Sequence, residues 1–167
     1  KSTVTKHLLV ERPDILRLKL DNYFQDIETF PVRDGEPDWD IPANLQFPLL
    51  HQNLVDLRAG CTTEIPTFNK TTFARQFHTV SPQPIILVEG FLLYYDEAVR
   101  SLFDLKLYLD VPEVTTIARR VKRQSPERQR YIENVVVPNY RKYGVPTKQY
   151  ADVVLDGTNV PAGTAKH

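Results

Sequence analysis

Ile85-Ile86-Leu87-Val88 is an unbroken apolar run that closes on Glu89-Gly90. A strand with one wet face alternates apolar and polar residues, so a continuous run predicts a strand covered on both faces, as in a parallel sheet. Two other stretches also end on an acid. Ile15-Leu16-Arg17-Leu18-Lys19-Leu20 alternates apolar and basic residues up to Asp21, and residues 105–109 run up to Asp110. Helix-like segments separate them. Residues 2–11 form one, stopped near Pro13. Leu45, Leu49, Leu50, Leu54 and Leu57 recur at helical spacing in a second that closes at Gly60. Residues 96–103, 113–123 and 127–142 complete the helices, residues 62–67 and 73–80 can pair as a hairpin, and 151–155 make a last strand. Strands alternating with helices predict an α/β fold built on a parallel sheet. Ligands of such sheets gather beyond the carboxyl ends of the strands, which singles out Asp21 and Glu89. Asp110, followed by Val-Pro-Glu, reads as the cap of the next helix.

Composition narrows the function classes. The 167 residues fit one domain, expected to span 1–167, and the 21 basic and 21 acidic residues cancel. No net field therefore draws the chain to nucleic acid or an anionic membrane. No apolar run approaches the roughly 18–20 residues that span a bilayer. Cys61 is the sole cysteine, which excludes an intrachain disulfide and fits a reducing cytoplasm. The cations are unevenly spread: Arg119, Arg120, Lys122, Arg123, Arg128 and Arg130 crowd into positions 119–130. Residues 25–43 form a polar loop long enough to suggest a role.

These residues supply the parts that phosphoryl transfer needs: a phosphate cradle, a metal ligand, a group that orients the attacking hydroxyl, and cations for the spreading charge. Lys1-Ser2-Thr3, followed at once by a helix, matches the end of the phosphate-binding pattern G-x-x-x-x-G-K-[ST]. In that reading Lys1 reaches the β- and γ-phosphates of ATP, and Ser2 holds Mg²⁺ together with Glu89. Asp21 accepts the proton of the attacking hydroxyl, and the arginine cluster closes on the triphosphate. The alternatives are acids that cap turns and arginines on a solvated face.

Four segments, in order, resemble the uridine kinase and phosphoribulokinase group of P-loop kinases: Lys1-Ser2-Thr3, Asp21-Asn22-Tyr23-Phe24, Trp39-Asp40-Ile41-Pro42 and Val88-Glu89-Gly90-Phe91-Leu92-Leu93. Arg119-Arg120-Val121-Lys122-Arg123 with Glu127-Arg128 is similar to the group's arginine lid, and residues 146–154 to its C-terminal strand region. The resemblance implies a P-loop NTPase-type parallel sheet flanked by helices, with a small β-hairpin substrate subdomain and a helical lid. It implies an ATP- and Mg²⁺-dependent kinase acting on the hydroxyl of a small molecule, in first place the 5′-hydroxyl of uridine or cytidine in nucleoside salvage. Lys1, Asp21, Arg120 and Arg123 would be catalytic. Lys1, Ser2, Thr3, Arg123 and Arg128 would hold ATP, and Ser2 and Glu89 the metal. Asp21, Tyr23, Phe24, Asp40, Phe68, Phe73, Arg75 and Arg120 would line the acceptor. A homo-oligomer is compatible with the resemblance.

Three departures bear on the acceptor. Uridine-cytidine kinases carry a tyrosine and a histidine where this chain has Phe68 and Phe73, which can stack on a ring but cannot hydrogen-bond it. The stretch between Arg128 and Pro146 is shorter than in uridine kinases, and residues 138–143 and 155–158 resemble nicotinamide riboside kinases. The first strand and glycine loop of the group are absent upstream of Lys1, so some 15–25 preceding residues are expected. Nicotinamide riboside, pantothenate or a phosphosugar therefore stand as other acceptors, with Arg33, Lys70 and Arg75 as basic residues for the last. A nucleotide binder without catalysis is the remaining reading.

Overall fold

The computed structural model describes residues 2–158, without the side chains of residues 2–4 and 7, so the expectations for Lys1, Ser2 and Thr3 fall outside it. Helix α1 (Ser2–Glu11) ends ahead of Pro13 and leads into strand β1 (Ile15–Lys19). The polar loop then folds on itself as a short hairpin, β2 (Val32–Arg33) and β3 (Glu36–Pro37). Its turn is Asp34-Gly35, both in the left-handed region at φ 51° and 79°, the geometry that Asp-Gly favours in a tight hairpin. Helix α2 (Phe47–Arg58) buries Phe47, Leu50, Leu54 and Leu57 along one face and is followed by Gly60 at φ 79°.

Strands β4 (Thr63–Phe68) and β5 (Arg75–Val80) pair antiparallel as the hairpin expected from the sequence. Strand β6 (Ile85–Glu89) follows, then helix α3 (Glu97–Ser101), whose first turn is capped by Asp96 Oδ1 accepting from Val99 N at 2.9 Å. Strand β7 (Leu107–Asp110), helix α4 (Glu113–Gln124) and strand β8 (Val153–Asp156) complete the order. Between α4 and β8 the chain is helical from 126 to 150. Its turns widen at Ile132–Val136 and Tyr140–Gly144 and tighten at Val145–Tyr150. Pro138 and Pro146 have no N–H to give to a regular ladder, which accounts for the irregular turns.

The architecture is α/β with parallel strands. β1 pairs with β6, placing Leu18 opposite Val88 and Lys19 opposite Glu89, and β7 pairs with β8, placing Asp110 opposite Asp156. Among the described residues these are two separate pairs, so β6 is hydrogen-bonded on one edge only. That explains a departure from the sequence expectation. β6 is parallel but only partly covered, with Ile85 exposed and burial complete only at Glu89.

The main core packs Leu18, Leu20, Tyr23 and Phe24 against Leu50 and Leu54 of α2 and against Leu92 and Val99. A second cluster, Tyr131, Ile132 and Val135–Val137, fixes the irregular helix against Ile117 and Val121 of α4. No helix among the described residues is long and apolar enough to cross a membrane.

Candidate active site

The parallel register of β1 and β6 delivers Asp21 and Glu89 to the same sheet edge. Each strand ends within two residues of its acid, and the Leu20 side chain packs directly on Gly90. Glu89 is buried. Its Oε1 is ion-paired with Arg17, and its Oε2 accepts from the Thr5 hydroxyl of α1 at 3.3 Å. The alternating β1 pattern leads one to expect Arg17 on the wet face. Instead it points across to Glu89, because residues 17 and 89 lie on one face of the pair two positions apart in register. Ser2 and Thr3 open α1, the helix that brings Thr5 to Glu89.

Asp21 sits in the tight turn Leu20–Asn22, and its Oδ2 accepts from Lys70 Nζ of the β4–β5 connection at 2.9 Å. The next residues point inward. Tyr23 is 1% exposed and donates its hydroxyl to Asn53 Oδ1 of α2 at 3.0 Å, and burial raises its pKa strongly. It faces the core rather than an acceptor, because its ring lies on the side of the chain that α2 covers. Phe24, equally enclosed, is the floor of an aromatic group. Trp39 meets it edge-on at 5.2 Å, Phe68 lies at 5.9 Å and Phe91 at 6.4 Å. Phe68 is buried, whereas Phe73 is 46% exposed and lies over Trp39 at 6.2 Å with the rings 31° apart. Arg75 is committed to the fold. It donates to Phe24 O at 2.6 Å and pairs with Asp26 at 3.1 Å, tying β5 to the chain after β1.

Asp40 and Arg120 meet as a two-point ion pair, Nη1 to Oδ1 at 3.2 Å and Nη2 to Oδ2 at 2.6 Å. Burial pushes the Asp40 carboxyl above its usual range, against the pull of Arg120 and with a further push from Asp38. Asp38 is fully enclosed and anchors the loop. Asn139 Nδ2 donates to both of its oxygens at 2.8 and 3.0 Å, Arg33 pairs with it at 3.2 Å, and the Asp40 N–H reaches it at 3.3 Å. Nothing in the sequence pattern marks Asp38, since its partner Asn139 is 101 residues away.

A cavity of about 240 Å³ joins these parts: Asp40, Phe91, Arg120 and Arg123 face it, with Ile132 and Val136 of the irregular helix. Arg128 pairs instead with Glu36 of β3, and Arg130 with Asp34 at 3.5 Å. Tyr131 donates to Pro37 O at 2.8 Å and its hydroxyl is pushed up to about 12 by burial. Arg119 holds the chain after β8 through the Gly157 and Thr158 carbonyls at 3.0 and 2.8 Å. Asp110 does not cap α4 as expected. It takes an ion pair with Lys148 at 2.6 Å, and Pro112 stands at the cap.

A group of three or more acidic, His or Cys side chains able to hold a metal is absent among the described residues. Mg²⁺ with a nucleotide does not require one, since it takes one or two protein oxygens with phosphates and waters. The carboxylate and hydroxyl oxygens of Glu89 and Thr5 are of that kind.

Residues 26–162 match the sequence model of the phosphoribulokinase / uridine kinase family. Among relatives, a uridine kinase of Staphylococcus haemolyticus is 34% identical, covering 93% of this chain and 81% of its own length. One of Borrelia garinii subsp. bavariensis is 29% identical, covering 93% and 80%. A structure described as a possible uridine kinase from Bacillus stearothermophilus superposes with a TM-score of 0.66 at 20% identity, covering 93% of this chain and 82% of that one.

Proposed function

The chain belongs to the phosphoribulokinase / uridine kinase family, and we propose that it transfers the γ-phosphate of ATP to the 5′-hydroxyl of a nucleoside of the uridine or cytidine type. The observation that carries this reading is the pair of acids at one sheet edge: Asp21, half-exposed and reachable, beside Glu89, buried at the end of β6. An exposed carboxylate suits the acceptance of a proton from an incoming hydroxyl. A buried one, held on both oxygens, suits the orientation of a metal or its waters.

Bound with ATP, Mg²⁺ would supply charge neutralisation on the β- and γ-phosphates, with Glu89 as its protein carboxylate and Ser2 as its hydroxyl. Asp21 accepts the acceptor's proton as the hydroxyl oxygen forms its bond to phosphorus and ADP departs. Asp40 and Arg120 hold sugar hydroxyls, the carboxylate accepting and the guanidinium donating. Arg120 Nε is buried without a partner among the described residues, which leaves a donor unspent. Arg123 faces the same cavity and supplies positive charge to the transition state, and Arg128 joins it on exchanging Glu36 for phosphate.

One observation favours a second reading of the acceptor. Phe73 and Trp39 form a partly open aromatic wall, and Phe68 and Phe73 stand where the resemblance expects a tyrosine and a histidine that hydrogen-bond the base. Such a wall stacks a flat ring without reading its polar groups, so a nucleoside with another base is also accommodated.

The test is ATP consumption against uridine, cytidine, nicotinamide riboside, pantothenate and ribulose 5-phosphate, for the protein and for Asp21→Asn. The variant is expected to lose turnover by about 10²–10⁴-fold while binding ATP as before. Unchanged turnover in Asp21→Asn removes Asp21 from the reaction.

A further inference from the structure

We infer that Lys70 is a positioning residue for Asp21, holding its carboxylate in the orientation that receives the acceptor hydroxyl; this rests on the reading of Asp21 given above. The side chain comes from the β4–β5 connection, 49 residues along the chain, and its Nζ stands 2.9 Å from Asp21 Oδ2.

Three features aim it there. The first is the turn that carries it. Asn69 Oδ1 accepts from the N–H groups of Thr71 and Thr72 at 2.9 and 3.1 Å, and Asn69 N donates to Ala74 O at 2.9 Å. Lys70 therefore leaves a hydrogen-bonded loop and not a loose tip. The second is Phe73, held at φ 57° within the same turn, a conformation that a bulky residue adopts only when its surroundings enforce it. The third is the aromatic floor. The ammonium lies 4.9 Å from the centre of the Phe24 ring and 5.7 Å from that of Trp39, within reach of their negative faces. Asp21 and two rings thus bound the position of a single cation.

Fold stability gives no reason for this arrangement. The Lys70 and Asp21 side chains are 50% and 38% exposed, and an ion pair so open to water adds little to folding. Its effect lies in geometry. A carboxylate on a short turn can rotate about two torsions, and a fixed cation at Oδ2 restricts both. The Lys70 charge also reaches Asp40, where it favours the ionised carboxylate. One lysine therefore acts on both acids assigned to the acceptor.

The experiment compares Lys70→Met, Lys70→Arg and Asp21→Asn with the unaltered protein. It uses ATP, the panel acceptor of highest rate, and thermal melting of each variant. Lys70→Met is expected to lower kcat roughly 10- to 100-fold, as a misdirected reacting group does, with acceptor KM and melting temperature nearly unchanged. Lys70→Arg, which keeps a donor cation on a side chain of similar reach, is expected to recover most of the loss. Three results overturn the inference: full kcat in Lys70→Met, a rise in acceptor KM alone, or a kcat loss that arginine does not recover. If Asp21→Asn itself keeps full turnover, the parent reading of Asp21 fails and the inference with it. If Asp21→Asn is inactive while Lys70→Met is normal, only the inference about Lys70 falls.

Discussion

Replacing Gly90 by alanine probes the contact that sets Asp21 beside Glu89. A Cβ built at Gly90 lies 2.5 Å from Leu20 Cβ and 2.7 Å from Leu20 Cδ2. Carbon atoms settle at about 3.5–4.0 Å, so the gap must open by about 1 Å. A new Leu20 rotamer relieves Cδ2 but not Cβ, which is fixed to the backbone. Leu20 is fully buried, so the backbone of β1 or β6 must give way. Overpacking of this kind costs about 1–3 kcal/mol, and a contact to Cβ belongs at the upper end. At about 2–4 °C per kcal/mol for a protein of this size, the melting temperature should fall by roughly 6–12 °C. The two residues that move are the neighbours of Asp21 and Glu89, and a displacement of about 1 Å in a reacting group costs on the order of 10²-fold in rate. Thermal denaturation and initial-rate kinetics on Gly90→Ala measure both effects. A variant that melts within about 2 °C of the parent and keeps its kcat would refute the packing of these strand ends.

Two further perturbations test the polar loop and the second strand pair. Asn139→Ala takes both side-chain hydrogen bonds from the enclosed Asp38 carboxylate. It should lower the unfolding free energy by about 2–3 kcal/mol in urea titration, and a loss under about 0.5 kcal/mol would show that Asp38 is satisfied otherwise. Asp152 accepts from Lys106 N at 2.7 Å and pairs with Lys106 Nζ at 3.1 Å, and these contacts lower its pKa from 3.8. A depressed folded pKa gives stability that is present above the unfolded value and lost as pH falls through the folded one. The stability gap between the protein and Asp152→Asn should therefore be constant near neutrality and close below about pH 4. A gap independent of pH would contradict the assignment.

The sequence revealed most of the elements because their periods are local. The leucine spacing located α2, the continuous apolar run located β6, and the strand-like stretches that end on Asp21 and Asp110 located β1 and β7. The acids at their ends follow from chain direction alone. What escaped depends on partners distant in sequence. Arg17 reads as a wet residue in an alternating strand until β6 brings Glu89 to its face. Tyr23 is next to the site in sequence yet turned into the core by α2. Asp110 carries the local signature of a cap, but Lys148, 38 residues away, competes for its carboxylate. The Asp34-Gly35 dipeptide did hold a turn signal inside the polar loop, and the resulting hairpin is the piece that meets Arg128 and Arg130. Lys70 was legible as a basic residue for a phosphosugar acceptor, but its contact with Asp21, 49 residues away, was not.

Those hairpin contacts have a consequence for binding. Asp34, Glu36, Pro37 and Asp40 of the polar loop bind Arg130, Arg128, Tyr131 and Arg120 respectively. Four ties over seven residues couple the two segments, so in the proposed reaction an Arg128 that leaves Glu36 for phosphate loosens one of the ties that also hold Asp40 against Arg120. On the proposed roles, free energy that ATP binding spends on Arg128 is felt at Asp40, and thermodynamic reciprocity makes the acceptor act on ATP affinity by the same factor. The proposed roles therefore predict interdependent substrate binding, with the apparent affinity for each substrate varying with the concentration of the other.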